Sequence, residues 1–411
     1  PALLGAAPAN ATVYVDRESR GGRCDDTRSA AGVGATQPWC SLQRAAAATP
    51  AGQTVVVRGG TYPRLQILGA ARGVPVTFRA APGERVAVAG LTLQRSSGWR
   101  FEGLVLTALT DLTSVSALAF DRNEVSLRYN GASTPSAFLV TGARNVSWTN
   151  NWIHDGHTAI LTRWGGLEDI TIRGNNFERM AGDGVFVRFG RRVTIEDNRF
   201  TRVAAVASVN PSAHVDAVQV VGSSEDVRLL RNVVREGRGF IVQFADAERS
   251  TPGLQHQRMV IDGNLFTGPD FAARVYSAPG IRITRNTAWG TGLSQNAGID
   301  LRNPDGANAP TTNAVVTNNV MRRLNVEPQF GFAALSDNLV EKATLAPTGR
   351  VLDATNLLAT AQFVNAAAGD YRLASGTALA GTAGVTSPVA SASASRSVRT
   401  SHKGARSIGK R

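Results

Sequence analysis

Apolar and polar residues alternate along this chain in short bursts, with no long helical stripe. One unit keeps returning. It reads "NVSWTNNWIHD" from 145, "DITIRGNNFER" from 169, "RVTIEDNRFTR" from 192 and "DVRLLRNVVRE" from 226. It returns as "RMVIDGNLFTG" from 258, "GIRITRNTAWG" from 280 and "NAVVTNNVMRR" from 313, with a weaker copy, "LAFDRNEVSL", from 118. Each copy is a short alternating run, an Asn, and a second short apolar pair. Such alternation marks half-buried strands. The pattern predicts an all-β protein.

The aligned asparagines are Asn123, Asn151, Asn176, Asn198, Asn232, Asn264, Asn286 and Asn319. Their spacings are 28, 25, 22, 34, 32, 22 and 33. A fixed minimum with variable additions is what a coil of short strands gives when loops are inserted at its corners. Strands this short bury no apolar face alone. Stacked coil on coil, they form parallel sheets around a continuous core. A corner needs a residue that tolerates positive φ and satisfies backbone groups, so an Asn ladder at one corner is expected.

The repeat resembles the right-handed parallel β-helix proteins, the superfamily of pectate lyases and polygalacturonases, over about residues 50 to 375. The resemblance implies a single-stranded right-handed solenoid of roughly ten coils. The N-terminal order "ATVYVD", a Cys loop, then "PWCSLQRAAAATPAGQTVVVRGGTY" implies a first strand, a capping helix over Ser41 to Ala48, and entry into the first coil. Three regions follow: 1–49 as strand, disulfide loop and cap, 50–384 as β-helix, and 385–411 as a basic tail rich in Ser, Ala and Arg. "FVNAAAGDYRLASGTAL" is similar to the closing segment of such chains. The tail has no apolar periodicity and reads as disordered.

Charge changes the picture a little. The formal net charge is +13, and Lys342, Lys403 and Lys410 are the only lysines. Six basic residues fall in 396–411, which leaves the body moderately basic. The excess serves solubility or attracts a polyanion. Basic residues do not interleave with aromatics on the repeats, which disfavours nucleic acid. No apolar run reaches the ~18 residues of a membrane span. Cys24 and Cys40 are too few for a metal site. They suit a disulfide closing a Gly/Asp-rich loop, worth about 3 kcal/mol, and so a secreted protein. The start at Pro1 reads as a processed or trimmed end. A monomer is expected.

Candidate chemistry comes from stacking the strands that follow each Asn: "TAILTRW" from 158, "DGVFVRF" from 183, "DAVQVVG" from 216 and "RGFIVQF" from 238. "ARVYS" from 273 and "GIDLRN" from 298 continue the series. In this register Thr158, Asp183, Asp216 and Arg238 share one column. Leu161, Phe186, Gln219 and Ile241 share a second, and Arg163, Arg188, Val221 and Gln243 a third. Neighbouring rungs lie about 4.8 Å apart, so Asp183 and Asp216 become adjacent carboxylates at a sheet edge. As edge positions they are expected to carry little core packing. His214 precedes Asp216 by two residues, and "WIHDGHTAI" adds His154, Asp155 and His157 one rung away. Long insertions at 201–213 and 244–257 flank these rungs as cleft walls.

Lone Asp or His residues at strand starts commonly serve turns. Convergence of acids, histidines and arginines beside long loops points to a site. Asp183, His214 and Asp216 are the catalytic candidates. His154, Asp155, His157, Arg188, Gln219, Arg238, Gln243, Arg274 and Tyr276 are the substrate-binding candidates. Superfamily resemblance implies a polysaccharide substrate. A uronate lyase needs a positive group or metal on the carboxylate, a base for the C5 proton and an acid for the leaving oxygen. The coils lack the Lys base of several β-helix lyases, so His or Arg must serve, with Asp183 and Asp216 orienting it or binding Ca²⁺. A glycosidase needs two carboxylates of unequal proton affinity, which the Asp pair supplies as well. The Asn-Thr-Asp, Asp-Asp, Gly-His-Gly and Arg-Ile-Lys pattern of polygalacturonases is missing, and the pectate-lyase Asp set is not evident. The lead reading is a secreted lyase on an acidic polysaccharide, resting on the Arg excess and the available His. A glycoside hydrolase and a non-catalytic adhesin remain as alternatives.

Overall fold

The computed structural model describes residues 12–127, 135–203, 215–244, 251–269, 271–289, 298–304, 306–347 and 351–387. Short parallel strands wind into a coil with three faces. The first face begins with Thr12–Val15 and Thr54–Val57 and continues rung by rung to Ala314–Thr317 and Phe332–Ser336. The second runs from Gly60–Tyr62 to Leu339–Leu345 and Leu357–Leu358. The third starts at Leu65–Leu68 and includes Ile160–Thr162, Val185–Arg188, Val218–Val221, Phe240–Val242, Ala273–Val275 and Gly298–Leu301. This is the expected parallel β-helix, and the stack is tall enough to hold more than the ten coils expected. Inward residues of successive rungs touch one another. Phe78, Phe101, Phe120 and Trp148 stack up the inside of the first face at centroid separations of 5.8, 5.4 and 5.8 Å.

The Asn ladder is real, with corrections. It runs Asn123, Asn151, Asn175, Asn198, Asn232, Asn264, Asn286, Asn319, Asn338 and Asn356. Asn175, not Asn176, is the rung residue; Asn176 opens the next strand and is half-buried. The tightest step is 18 residues, not 22, because the last rungs carry the shortest corners. The reason for Asn also differs. Positive φ falls on the residue before nine of the ten ladder asparagines: Arg122, Asn150, Gly174, Asp197, Arg231, Gly263, Arg285, Asn318 and Asp337. The Asn itself works through its side chain. Asn198 shows the pattern: its Oδ1 accepts from the Asn175 backbone N–H at 2.9 Å, and its Nδ2 donates to the Ile172 carbonyl at 2.8 Å and Asn232 Oδ1 at 3.0 Å.

The ends are closed as the core requires. The helix Leu42–Ala48 starts at Ser41, whose hydroxyl accepts the Arg44 N–H, and it buries Leu42, Ala45 and Ala46 over the first coil. Cys24 and Cys40 form the expected disulfide, with Cα atoms 4.9 Å apart. At the other end the chain turns back. The antiparallel pair Phe363–Asn365 and Asp370–Leu373 lies on the outside of the second face. Phe363, Tyr371, Leu373 and Val385 there cover Val233, Leu265, Trp289, Val320 and Leu339. The closing segment is thus a strap on a flank, not a further coil. Val385 is buried, so the boundary expected at 385 moves outward. The rest of the expected tail, from 388 on, lies outside the described residues.

Replacing Asn175 with Ala should cost roughly 3 kcal/mol in chemical denaturation, because it strands buried donors and acceptors on two rungs. Asn176→Ala should cost less than about 1 kcal/mol.

Candidate functional site

The third face carries the candidate residues because of strand alternation. Val185, Val218, Phe240, Ala273 and Ile299 point inward and are buried. The intervening positions point outward and stack as Leu161, Phe186, Gln219, Ile241, Arg274, Asp300 and Asn325. The register expected from sequence is therefore the register observed. Arg188 pairs with Val221, and Gln243 and Tyr276 follow the next two strands on the same side.

Asp183 and Asp216 are brought together at the corner leading into this face. The Asp216 backbone N–H donates to Asp183 Oδ1 at 2.8 Å. They are not at an open edge: Asp183 is 8% exposed and Asp216 0%. The expectation of little core packing is corrected: both side chains are buried, and Asp183 is tied to the backbone of the next rung. Burial, and then the Asp216 carboxylate, push the Asp183 pKa up to about 8, against the smaller opposing pull of Arg238. Asp183 therefore keeps its proton at neutral pH. His157 stands on the preceding rung, exposed, with its ring against Gly182 and its Nδ1 3.2 Å from the Thr158 hydroxyl. The covered part of the ring lowers its pKa, which favours the neutral imidazole.

His154 and Asp155 belong elsewhere. They end the second-face strand Trp152–His154. His154 Nδ1 lies 2.6 Å from Asp155 Oδ2, and its ring stacks on Trp152 at 3.9 Å. Burial lowers the His154 pKa, and the Glu124 and Asp155 carboxylates more than reverse it. Asp155 is held at about 2, first of all by Arg179, which grips both its oxygens at 2.6 and 2.8 Å. This ion cluster belongs to the second face, whereas the Asp183–Asp216 pair stands at the corner leading into the third. His214, residues 204–213 of the first long insertion and 245–250 of the second lie outside the described residues.

Further along the third face a cavity of about 310 Å³ is lined by Arg238, Phe271, Arg274, Asp300, Arg302, Arg323 and Asn325. Arg274 lies over Phe271 at 4.3 Å and donates to Asp300 at 2.8 Å. Asn325 donates to the other Asp300 oxygen at 2.6 Å. Burial raises the Asp300 pKa, and Asn325, Arg274 and Arg302 outweigh it, leaving a net lowering. Asp300, Arg302, Arg323 and Asn325 escaped sequence reasoning. The strand series runs through "GIDLRN", and the observed register puts its Asp300 in the Gln219 column.

Two sequence arguments weaken. Several of the arginines are structural: Arg192 pairs with Asp169, Arg231 with Asp197, Arg258 with Asp226 and Arg285 with Asp262. These arginines do not face the candidate site. Calcium takes about six to eight oxygens. The Asp pair offers two buried carboxylates, one already accepting a backbone N–H, and among the described residues no three His, Cys, Asp or Glu converge on one point. The pair does not fit a Ca²⁺ site.

Linkage gives a stability test. Asp183 ionises near 3.8 when unfolded and near 8 when folded, so its contribution is fully present below about pH 4 and is lost as pH rises to about 8. Asp183→Asn should therefore melt like the wild type at pH 4 and increasingly above it towards pH 8, read by thermal scans across that range.

A family model described as "Right handed beta helix region" matches residues 115–256. None of the curated proteins matches the chain. Among solved structures, a variant of the PL6 family alginate lyase AlyGC aligns with TM-score 0.54 and 15% identity, over 85% of this chain and 57% of that one. The A-module of the Azotobacter vinelandii mannuronan C-5 epimerase AlgE6 gives 0.50 and 15%, over 84% and 97%. The pectate lyase Pel9A gives 0.46 and 12%, over 74% and 80%. Identities this low speak for the fold alone, and with the observed coil they agree on it: the chain is a right-handed parallel β-helix protein.

Proposed function

We propose that this protein cleaves a uronic-acid-containing polysaccharide by β-elimination, outside the cell, with the polymer lying along the third face. The observation that carries the reading is the arginine-lined cavity on the same face as the Asp183–Asp216 pair, with Arg238 common to both. Guanidinium groups bind carboxylates through paired hydrogen bonds and stabilise the negative charge that develops when a uronate loses its C5 proton. The second face is a poorer platform there, because the C-terminal strap covers its outer apolar column.

In this reading Arg274 and Arg302 hold carboxylates of the polymer in the cavity, and Arg238, beside the Asp183–Asp216 pair, holds that of the reacting uronate. A neutral histidine takes the C5 proton: His157, exposed with a lowered pKa, or His214. Asp183, protonated at neutral pH, backs the proton return to the leaving oxygen, and Asp216 sustains that protonation. The likeness to an alginate lyase and a mannuronan epimerase is in keeping with a uronate substrate. The Cys24–Cys40 bridge suits an oxidising compartment.

A glycoside hydrolase is the second reading. It is favoured by two adjacent carboxylates, of which Asp183 is pushed towards its protonated form by burial and by its neighbour. Their burial weighs against it, since a hydrolase must present both to the glycosidic bond.

Purified protein incubated with alginate, polygalacturonate and neutral glucans decides the matter. A lyase produces both the ultraviolet absorbance of the unsaturated uronate and new reducing ends. Reducing ends without absorbance would replace the lyase by the hydrolase, and neither signal would leave a binding or adhesive role. In an active preparation, His157→Ala or His214→Ala should lower turnover at least about 100-fold, according to which is the base. Retention of full activity by both variants would move the base elsewhere.

A further inference from the structure

We propose that Trp164 is a stacking platform for one pyranose unit, a distal subsite on the third face lying away from the arginine-lined cavity. The inference rests on the polysaccharide reading above and adds a site to it.

The platform begins as a local insertion. Leu139, Leu161 and Phe186 are register partners entering the corner between the third and first faces. Ala143, Leu167 and Gly190 are partners leaving it. The coil before crosses this corner with residues 140–142 and the coil after with 187–189, whereas this coil uses 162–166. The surplus makes a bulge closed by Gly165 and Gly166, at φ +96° and +68°. A side chain is excluded there by space as well. A Cβ on Gly166 would stand 2.9 Å from the Phe189 carbonyl oxygen, and one on Gly165 3.0 Å from the Gly142 nitrogen. The bulge projects Trp164, which is 63% exposed.

An exposed indole on a turn gains nothing for the core. This one is nevertheless held in place. The Arg188 guanidinium lies 4.6 Å from its ring and also sits near Phe186 and Phe189. A cation backing the indole fixes its orientation before any ligand arrives, which lowers the entropy cost of binding. Next to it a groove of about 320 Å³ follows the corner over Ser114, Gly142, Gly166 and Phe189, with Arg144, Glu168 and Arg191 at its edges.

That combination suits a sugar ring. A pyranose has an apolar C–H face for an aromatic plane and a rim of hydroxyls for charged groups. A lipid or other apolar ligand would need a deep dry pocket, which a shallow groove with a charged rim does not offer. A nucleobase could stack on the indole too, but basic residues do not interleave with aromatics along the repeats to follow its phosphates. The position also fits a polymer. Four register steps, Leu161 to Phe186, Gln219, Ile241 and Arg274, separate this rung from the cavity. At about 4.8 Å per rung they span roughly 19 Å, a length of several sugar units.

The test is gel retardation and fluorescence titration of the full chain with alginate and with polygalacturonate, beside single-stranded oligothymidylate. The wild type should bind at least one polyuronate. Trp164→Ala should weaken that binding about tenfold with an unchanged melting temperature, and Trp164→Phe should keep most of it. If Trp164→Ala and Trp164→Phe both bind the polyuronate as the wild type does, the subsite is wrong while the proposed function stands. If the wild type binds neither polyuronate, or binds only the oligonucleotide, both fall.

Discussion

Everything in this molecule hangs on one repeated hydrogen-bond pattern, the side-chain amides that climb a single buried corner. Each Asn accepts from the rung on one side and donates to the rung on the other. A buried amide that satisfies three or more partners is expensive to misplace, so the ladder locks the spacing and phase of successive coils. The αL residue just before it turns the chain, and the Asn then ties the turn to its neighbours. With the phase fixed at one corner, length variation is pushed to the others. That is why coils of very different length share one core, and why inserted loops and the Trp164 bulge leave the strand register untouched.

The same geometry sorts charges. Residues at equivalent corners stand one rung apart, so like charges would repel and alternating ones attract. The chain answers with Arg–Asp and Arg–Glu series along its corners. Individually such exposed pairs contribute little, but they hold αL residues in place and neutralise one another. They also consume arginines that composition alone would assign to ligand binding. What remains for a ligand lies where the pattern breaks: the guanidinium groups around Asp300, and Asp183, which meets another acid, not a base, on the next rung.

Access is decided by what covers each face. The second face has an apolar outer column and is roofed by the C-terminal strap. The first face's corners are occupied by ion pairs. The third face presents Phe186, Gln219, Arg274 and Asn325 outward, with a cavity towards its C-terminal end and an exposed Trp partway along it. A ligand running parallel to the coil axis would meet one outward residue about every 4.8 Å, a natural ruler for a polymer.

Sequence by itself determined the repeat, the parallel coil, the capping helix, the disulfide and the register of the third-face strands. These follow from local periodicity and from short-range chemistry, which a linear string carries in full. It placed Asp183 beside Asp216 and put Gln219 and Arg188 in their columns. It could not choose between Asn175 and Asn176, because "GNN" satisfies either phase and only contact with Asn151 and Asn198 decides. Nor could it show that His154 and Asp155 are claimed by Glu124 and Arg179, that Asp216 is fully buried, or that "FVNAAAGDYRL" folds back over a flank. Those outcomes depend on which distant side chains meet across rungs and faces, and only the tertiary structure brings them together.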